Sequence, residues 1–156
     1  VLLDIDGLGS LNAGHGVSAG DAVLREVALR VRLRVRAADA LGRSGSDGFL
    51  AILPHTDEAG AATFADVLRR RVAGRPISLD GTEVTVTISA GVAVIRPSED
   101  LDRDGLLARA EEALSSARGA GGNTVALDRL HGLARLAVSE TPPADADERA
   151  TSDPEP

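Results

Sequence analysis

A chain of 156 residues with 43% hydrophobic content is long enough for one domain with a real core and a tail. Aromatic residues make up 1% and the formal net charge is -7, so both base stacking on aromatic rings and general polyanion attraction count against a nucleic-acid binder. The absence of cysteine excludes disulfides, thiolate zinc sites and cysteine nucleophiles, and no apolar run reaches the roughly 18 to 20 residues that span a bilayer, so this segment is expected to hold no membrane span.

Val1 to Asp6 reads as the end of a buried strand that meets two acids, Asp4 and Asp6, at its C-terminal edge. Residue 1 already lies inside this apolar run and the chain has no methionine, which suggests an internal piece of a longer protein. Gly7 to Gly20, with five glycines, predicts a loop or a broken short helix. From Ser18 the spacing of Leu24, Val27, Val31 and Val35 predicts a helix of about five turns, with Ser18 and Asp21 placed like a capping box. Basic residues concentrate between Arg25 and Arg43, leaving room for a local anion site.

A hairpin follows, its turn near Ser46-Asp47-Gly48 and its second arm Phe49 to Leu53. Glu58 to Ala73 predicts an amphipathic helix with Arg69, Arg70 and Arg71 at its C-terminal end, where cations suit the helix dipole. Ile77 to Leu79 and Val84 to Ile95 form a second hairpin through Asp80-Gly81. Asp104 to Ala120 is a further helix, closed by Gly121-Gly122-Asn123 in the manner of a left-handed cap, and Thr124 to Leu127 adds an edge strand. After about Asp128 the composition changes, and from Ser139 onward Pro, Asp, Glu, Ala and Thr predict a disordered tail. The order of elements predicts an α+β domain over residues 1–127, with helices flanking a central, mainly antiparallel sheet.

Asp4, Asp6 and Asp47, with a glycine-rich loop between them, are parts suited to a magnesium and phosphate site. Hard cations take carboxylate and carbonyl oxygens, and glycine lets backbone amides approach phosphate. Each part also has an ordinary structural reading, as a strand-end acid or an Asp-Gly turn. The three histidines, His15, His55 and His131, have no spacing that makes a metal set or a catalytic triad.

The order of motifs is more specific. Asp4-Ile5-Asp6, Leu11-Asn12, Gly16, Gly20-Asp21, Arg36-Ala37-Ala38-Asp39, Arg43 to Phe49, Thr87 to Ala93 and Gly121-Gly122-Asn123 together resemble the GGDEF family along residues 1 to about 127, without the family's initial helix. The resemblance implies a palm of the nucleotidyl cyclase, ferredoxin-like kind that condenses two GTP into cyclic di-GMP across a homodimer. It further implies a cytoplasmic location, alone or as the cytoplasmic part of a larger, membrane-anchored protein. By the same resemblance, Asp4, the Ile5 carbonyl and Asp47 match magnesium-binding positions, Asp47 being also a catalytic position. Asn12 and Asp21 match guanine-reading positions, Gly45, Ser46 and Arg118 are further nucleotide contacts, and Arg36 and Asp39 match a regulatory RxxD site for the product.

This chain departs from the family at telling places. Ser46 replaces the second glycine of the signature and Gly48 its glutamate. Gly9 and Gly122 stand where the family usually has a phosphate-contacting lysine and arginine. Fewer cations around the phosphates means less transition-state stabilisation. The expected function is a noncatalytic, nucleotide-binding regulatory module, taking cyclic di-GMP at RxxD or GTP at the former active site. The alternatives are a weakly active cyclase and a structural dimerisation module with an empty site.

Overall fold

The computed structural model describes residues 1–96, 99–100 and 102–128. Eleven elements follow in chain order: β1 (Leu2–Ile5), α1 (Leu8–His15), α2 (Val17–Arg32), β2 (Ala40–Ser44), β3 (Gly48–Ile52), α3 (Glu58–Ala73), β4 (Ile77–Leu79), β5 (Thr82–Val84), β6 (Ile88–Val92), α4 (Arg103–Gly119) and β7 (Val125–Leu127). Five strands form one sheet in the order β2-β3-β1-β6-β7, antiparallel except for the parallel β6–β7 pair; β4 and β5 form a separate two-stranded ribbon. The α+β class with a flanked, mainly antiparallel sheet is therefore as the sequence predicts. The expected tail lies outside the described residues.

Strand alternation sorts the side chains of β1 between two layers. Leu3 and Ile5 join Val23, Val27, Val31, Ala65, Leu68 and Val72 in the larger core, under α2 and α3. Leu2 points the other way and packs with Ala110 and Leu114 of α4. Asp4 and Asp6 share the Leu2 face by the same alternation, so both acids lie on the side of the sheet that α4 covers. Gly91 on β6 sets how close α4 comes. A Cβ there would stand 2.2 Å from the Ala110 carbonyl oxygen and 2.4 Å from the Leu114 nitrogen, distances that leave no room for a larger residue.

Five sequence expectations are refined or changed in detail. The Gly7 to Gly20 stretch is two helices broken at Gly16, whose φ of 85° and ψ of 162° turn the chain straight from α1 into α2. Consequently α2 begins at Val17 with no side-chain cap, and Ser18 and Asp21 are not a capping box but residues within its first turns. The helix also stops at Arg32, so Val35 lies beyond it; Leu33, Arg34 and Val35 donate to Leu29, Val31 and Arg32 in a tightened final turn. The hairpin turn is Gly45-Ser46-Asp47, one residue earlier than expected, since Gly48 already pairs with Asp4. Finally, Val84 to Ile95 is not one arm: β5 stays with β4, while β6 crosses into the main sheet to pair with β1.

The other helices match their patterns closely. α3 spans Glu58–Ala73 and is started by Asp57, whose carboxylate accepts from the Gly60 amide at 2.8 Å. α4 starts at Asp102 in the same way, on the Gly105 amide. Arg30, 7% exposed, reaches from α2 to the carbonyls of Val72, Arg75 and Pro76 and so satisfies the end of α3. Among the described residues, no helix is long and apolar enough to cross a membrane.

Candidate nucleotide site

The C-terminal end of β1, the N-terminal ends of β3 and β6, the last turns of α4 and the Gly121–Asn123 turn meet at one end of the sheet. Asp4, 6% exposed, sits between Gly48 on β3 and Ser89 on β6. Its carboxylate takes both arms of a guanidinium fork: Arg118 Nε donates to Oδ2 at 3.0 Å and Nη2 pairs with Oδ1. Burial raises the Asp4 pKa above the ordinary carboxylate value of 3.8; Arg118 opposes this, and the neighbouring Asp47 carboxylate adds to it. Asp47 lies on the hairpin turn, its carbonyl accepting from the Ile5 amide at 3.1 Å, and Ser46 Oγ donates to its Oδ1 at 3.3 Å. Gly45, at φ 64°, makes the turn, and Arg43 lies over the Phe49 ring, 5.1 Å from its centroid.

Position 48 is more than a missing acid. A Cβ on Gly48 would stand 2.8 Å from the carbonyl oxygens of Leu3 and Ser44 and 3.6 Å from Asp4 Oδ1. The backbone has closed over the place beside Asp4. Gly122, at φ 75°, is similar: a Cβ there would meet the Asp6 carboxylate at 3.0 Å. Asp6 is instead a structural acceptor, receiving Thr87 Oγ1 and Ser89 Oγ at 2.6 Å each and the Asn123 amide at 2.8 Å. It thereby fixes the α4–β7 turn against β1 and β6.

A cleft of about 340 Å³ opens over these groups, lined by Asp4, Gly45, Asp47, Glu111, Leu114 and Arg118 among others. Glu111 was not foreseen from the sequence, although it stands seven residues, two helical turns, before Arg118 on the same face of α4. Asn12 projects from α1 against Gly20 of α2: a Cβ on Gly20 would lie 1.9 Å from Asn12 Oδ1. That Oδ1 is buried and has no hydrogen-bond partner among the described residues, an acceptor left unused between α1 and α2, apart from the residues that line the cleft. Asp21, next to Gly20, is exposed.

The RxxD pair is elsewhere. Arg36 and Asp39 close a turn on themselves, the Arg36 amide donating to Asp39 Oδ2 at 2.8 Å and the Asp39 amide to the Arg36 carbonyl at 3.1 Å. They precede Ala40, which pairs with Ile52, whereas the cleft lies where Ser44 pairs with Gly48. The structure therefore separates these two residues from the cleft residues Asp4, Gly45, Asp47 and Arg118 by the length of β2.

The donor set suits a divalent cation poorly as it stands. Asp4 and Asp47 are adjacent, but both Asp4 oxygens are engaged by Arg118, and among the described residues no group of three or more His, Cys, Asp or Glu is disposed to hold a metal ion.

A mainly antiparallel sheet under helices, with paired acids where the central strand ends, defines a palm of the nucleotidyl cyclase type. Comparison with known proteins narrows this. Residues 1–124 match the family described as "Diguanylate cyclase, GGDEF domain", and the chain belongs to that family. Similar curated proteins include the response regulator PleD of Caulobacter vibrioides, 39% identical over 127 residues, and the bifunctional diguanylate cyclase/cyclic di-GMP phosphodiesterase MucR of Pseudomonas aeruginosa, 34% identical over 123. These alignments cover 80% and 79% of this chain but 28% and 18% of the relatives, so the chain spans less than a third of their length. Among solved structures, the GGDEF domain of DgcB from Caulobacter crescentus in complex with c-di-GMP matches with a TM-score of 0.77 at 27% identity, covering 81% of this chain and 75% of that one. The active GGEEF domain of a diguanylate cyclase from Vibrio cholerae matches at 0.74 and 26%, covering 82% and 80%. The domain is thus of the cyclic di-GMP signalling family, whose cyclases generally depend on magnesium.

Proposed function

We propose that this domain is a noncatalytic, nucleotide-binding module of cyclic di-GMP signalling. The observation that carries the reading is Gly48: the signature loses its glutamate there, and the carbonyls of Leu3 and Ser44 stand where a side chain would begin. Phosphoryl transfer is catalysed almost entirely by positioning and charge stabilisation, so a site short of one carboxylate and of the cations replaced by Gly9 and Gly122 lacks its main source of rate. What remains is recognition. The orphaned Asn12 Oδ1 suits a guanine donor, with Asp21 beside it as a second acceptor. At the other end of the sheet, the exposed Arg36 suits the phosphate and base of cyclic di-GMP.

The test is calorimetry with GTP and with cyclic di-GMP, alongside a turnover assay on the dimerised full-length protein with GTP and Mg2+. Nucleotide binding that Asn12→Ala or Arg36→Ala abolishes, without product formation, is the expected result. Cyclic di-GMP made by the wild type would replace this reading with a weak cyclase, which the retained Asp4–Asp47 pair favours. Neither binding nor turnover would leave a dimerisation module with an empty site.

A further inference from the structure

The cleft floor carries three carboxylates, Asp4, Asp47 and Glu111, against one guanidinium, Arg118, and that guanidinium is spent on Asp4. A polyphosphate entering such a cleft meets net negative charge, with no further cation among the described residues that line it. A divalent ion would normally supply the offset, but here it must first break a two-pronged, charge-assisted pair and then hold on with Asp4 and Asp47 alone. Magnesium in particular gives up its water reluctantly and wants several well-placed oxygens. The neighbouring position offers no third acid, because the Leu3 and Ser44 carbonyls occupy the space a side chain on residue 48 would enter. Asn12, on α1 outside this lining, is in the opposite condition, with a buried acceptor that no described residue satisfies.

We infer that Arg118 takes the place of a divalent cation at Asp4, and that the domain consequently holds a guanine-bearing ligand by its base, at Asn12, as nucleoside or monophosphate, rather than as a metal triphosphate in the cleft. This rests on the nucleotide-binding reading and sharpens it by ligand class. Affinity then comes from the base, and added phosphates contribute nothing or weaken it.

Two measurements test this on the intact protein. Manganese binding, followed by electron paramagnetic resonance, is expected to show no saturation by the wild type up to about 1 mM and a gain of about tenfold or more in Arg118→Ala, with Arg118→Lys between them because a single ammonium cannot fork. Saturation of the wild type at micromolar manganese overturns the inference and needs no variant to be folded. In calorimetry, guanosine, GMP and GTP are each titrated with Mg2+ and with EDTA. Guanosine and GMP binding at least as tightly as GTP, unchanged by EDTA, supports the inference. GTP binding more than about tenfold tighter than guanosine, and only with Mg2+, overturns it while leaving nucleotide binding in place. Binding of none of the three overturns both.

Discussion

Asp4 is the residue on which the chemistry of the cleft turns, and its ionisation ties that chemistry to stability. Its pKa is raised on folding, first by burial, so its contribution to folding is complete below the unfolded value of 3.8 and is lost as pH rises through the folded value. At neutral pH the ionised carboxylate therefore costs stability, the Arg118 fork notwithstanding. Asp4→Asn is expected to melt above the wild type at pH 7, with the gap closing as pH falls toward 3.8. A gap that stays constant with pH would contradict this assignment of the strain to the Asp4 charge. Gly20 offers a cleaner separation of binding from folding. Alanine there suits the α2 interior, a gain of up to about 1 kcal/mol, but its Cβ displaces Asn12 Oδ1. Gly20→Ala should keep or raise the melting temperature while lowering guanosine affinity at least about tenfold, a drop read by calorimetry. Asp4, Asp47 and Asn12 were legible in the sequence because they carry functional groups in a spaced motif. Gly20 was legible as part of a motif but not as a role, since the use of a missing Cβ depends on which side chain another helix brings against it. Thr87 and Ser89 were hidden likewise, because their common acceptor, Asp6, lies more than 80 residues away.

Among the elements, α4 does most to shape the site, since it delivers Glu111 and Arg118 over the end of β1. It can lie there because β6 presents Gly91 beneath it. Gly91→Ala pushes a methyl group into the backbone of α4 at 2.2 Å, with no flexible atom to give way. Overpacking of this kind costs roughly 1 to 3 kcal/mol, so the urea midpoint should fall, and the Arg118 fork should loosen with it. An unchanged midpoint would mean that α4 rides higher over the sheet than described. Sequence pattern located α3 and α4 within a residue because their apolar faces run unbroken between clear caps. It misjudged both ends of α2, where Gly16 starts the helix without a side-chain cap and the apolar spacing runs on through Val35 after the hydrogen bonds have tightened. It also fused β5 to β6, because β-branched residues run through Thr85, Val86 and Thr87 and nothing local marks where the chain leaves one sheet for another.

At the scale of the molecule, the two proposed ligand surfaces lie at opposite ends of one sheet. The five residues of β2, at about 3.3 Å each, put the Arg36–Asp39 turn some 15 Å from the Ser44 end that lines the cleft. Binding at the two should be separable. Arg36→Ala is expected to abolish cyclic di-GMP binding and leave guanosine affinity within about twofold, and Asn12→Ala to do the converse. Loss of both on either substitution would join the two surfaces into one site. Arg109 braces the end of the same sheet away from the cleft, pairing with Glu99 and Asp128 and donating to the Val94 carbonyl; burial works against its charge, but the two carboxylates outweigh this and raise its pKa. The family and its sheet were thus readable from ordered motifs, while the opposition of the two ends required the strand register.

The Asp6–Asn123 hydrogen bond has a consequence for how the domain is made. It joins β1, the first strand of the domain in chain order, to the turn that leads into β7, and Thr124 accepts from Ala90 to lay β7 along the sheet. While a ribosome is still building α4, the acids of β1 have no Arg118 and no anchored turn around them. The cleft thus comes into being only once α4 and the turn after it have been made and have docked on β1, and the Asn123 amide, held by Asp6, should exchange with deuterium more slowly than the exposed Ser46 amide of the hairpin turn.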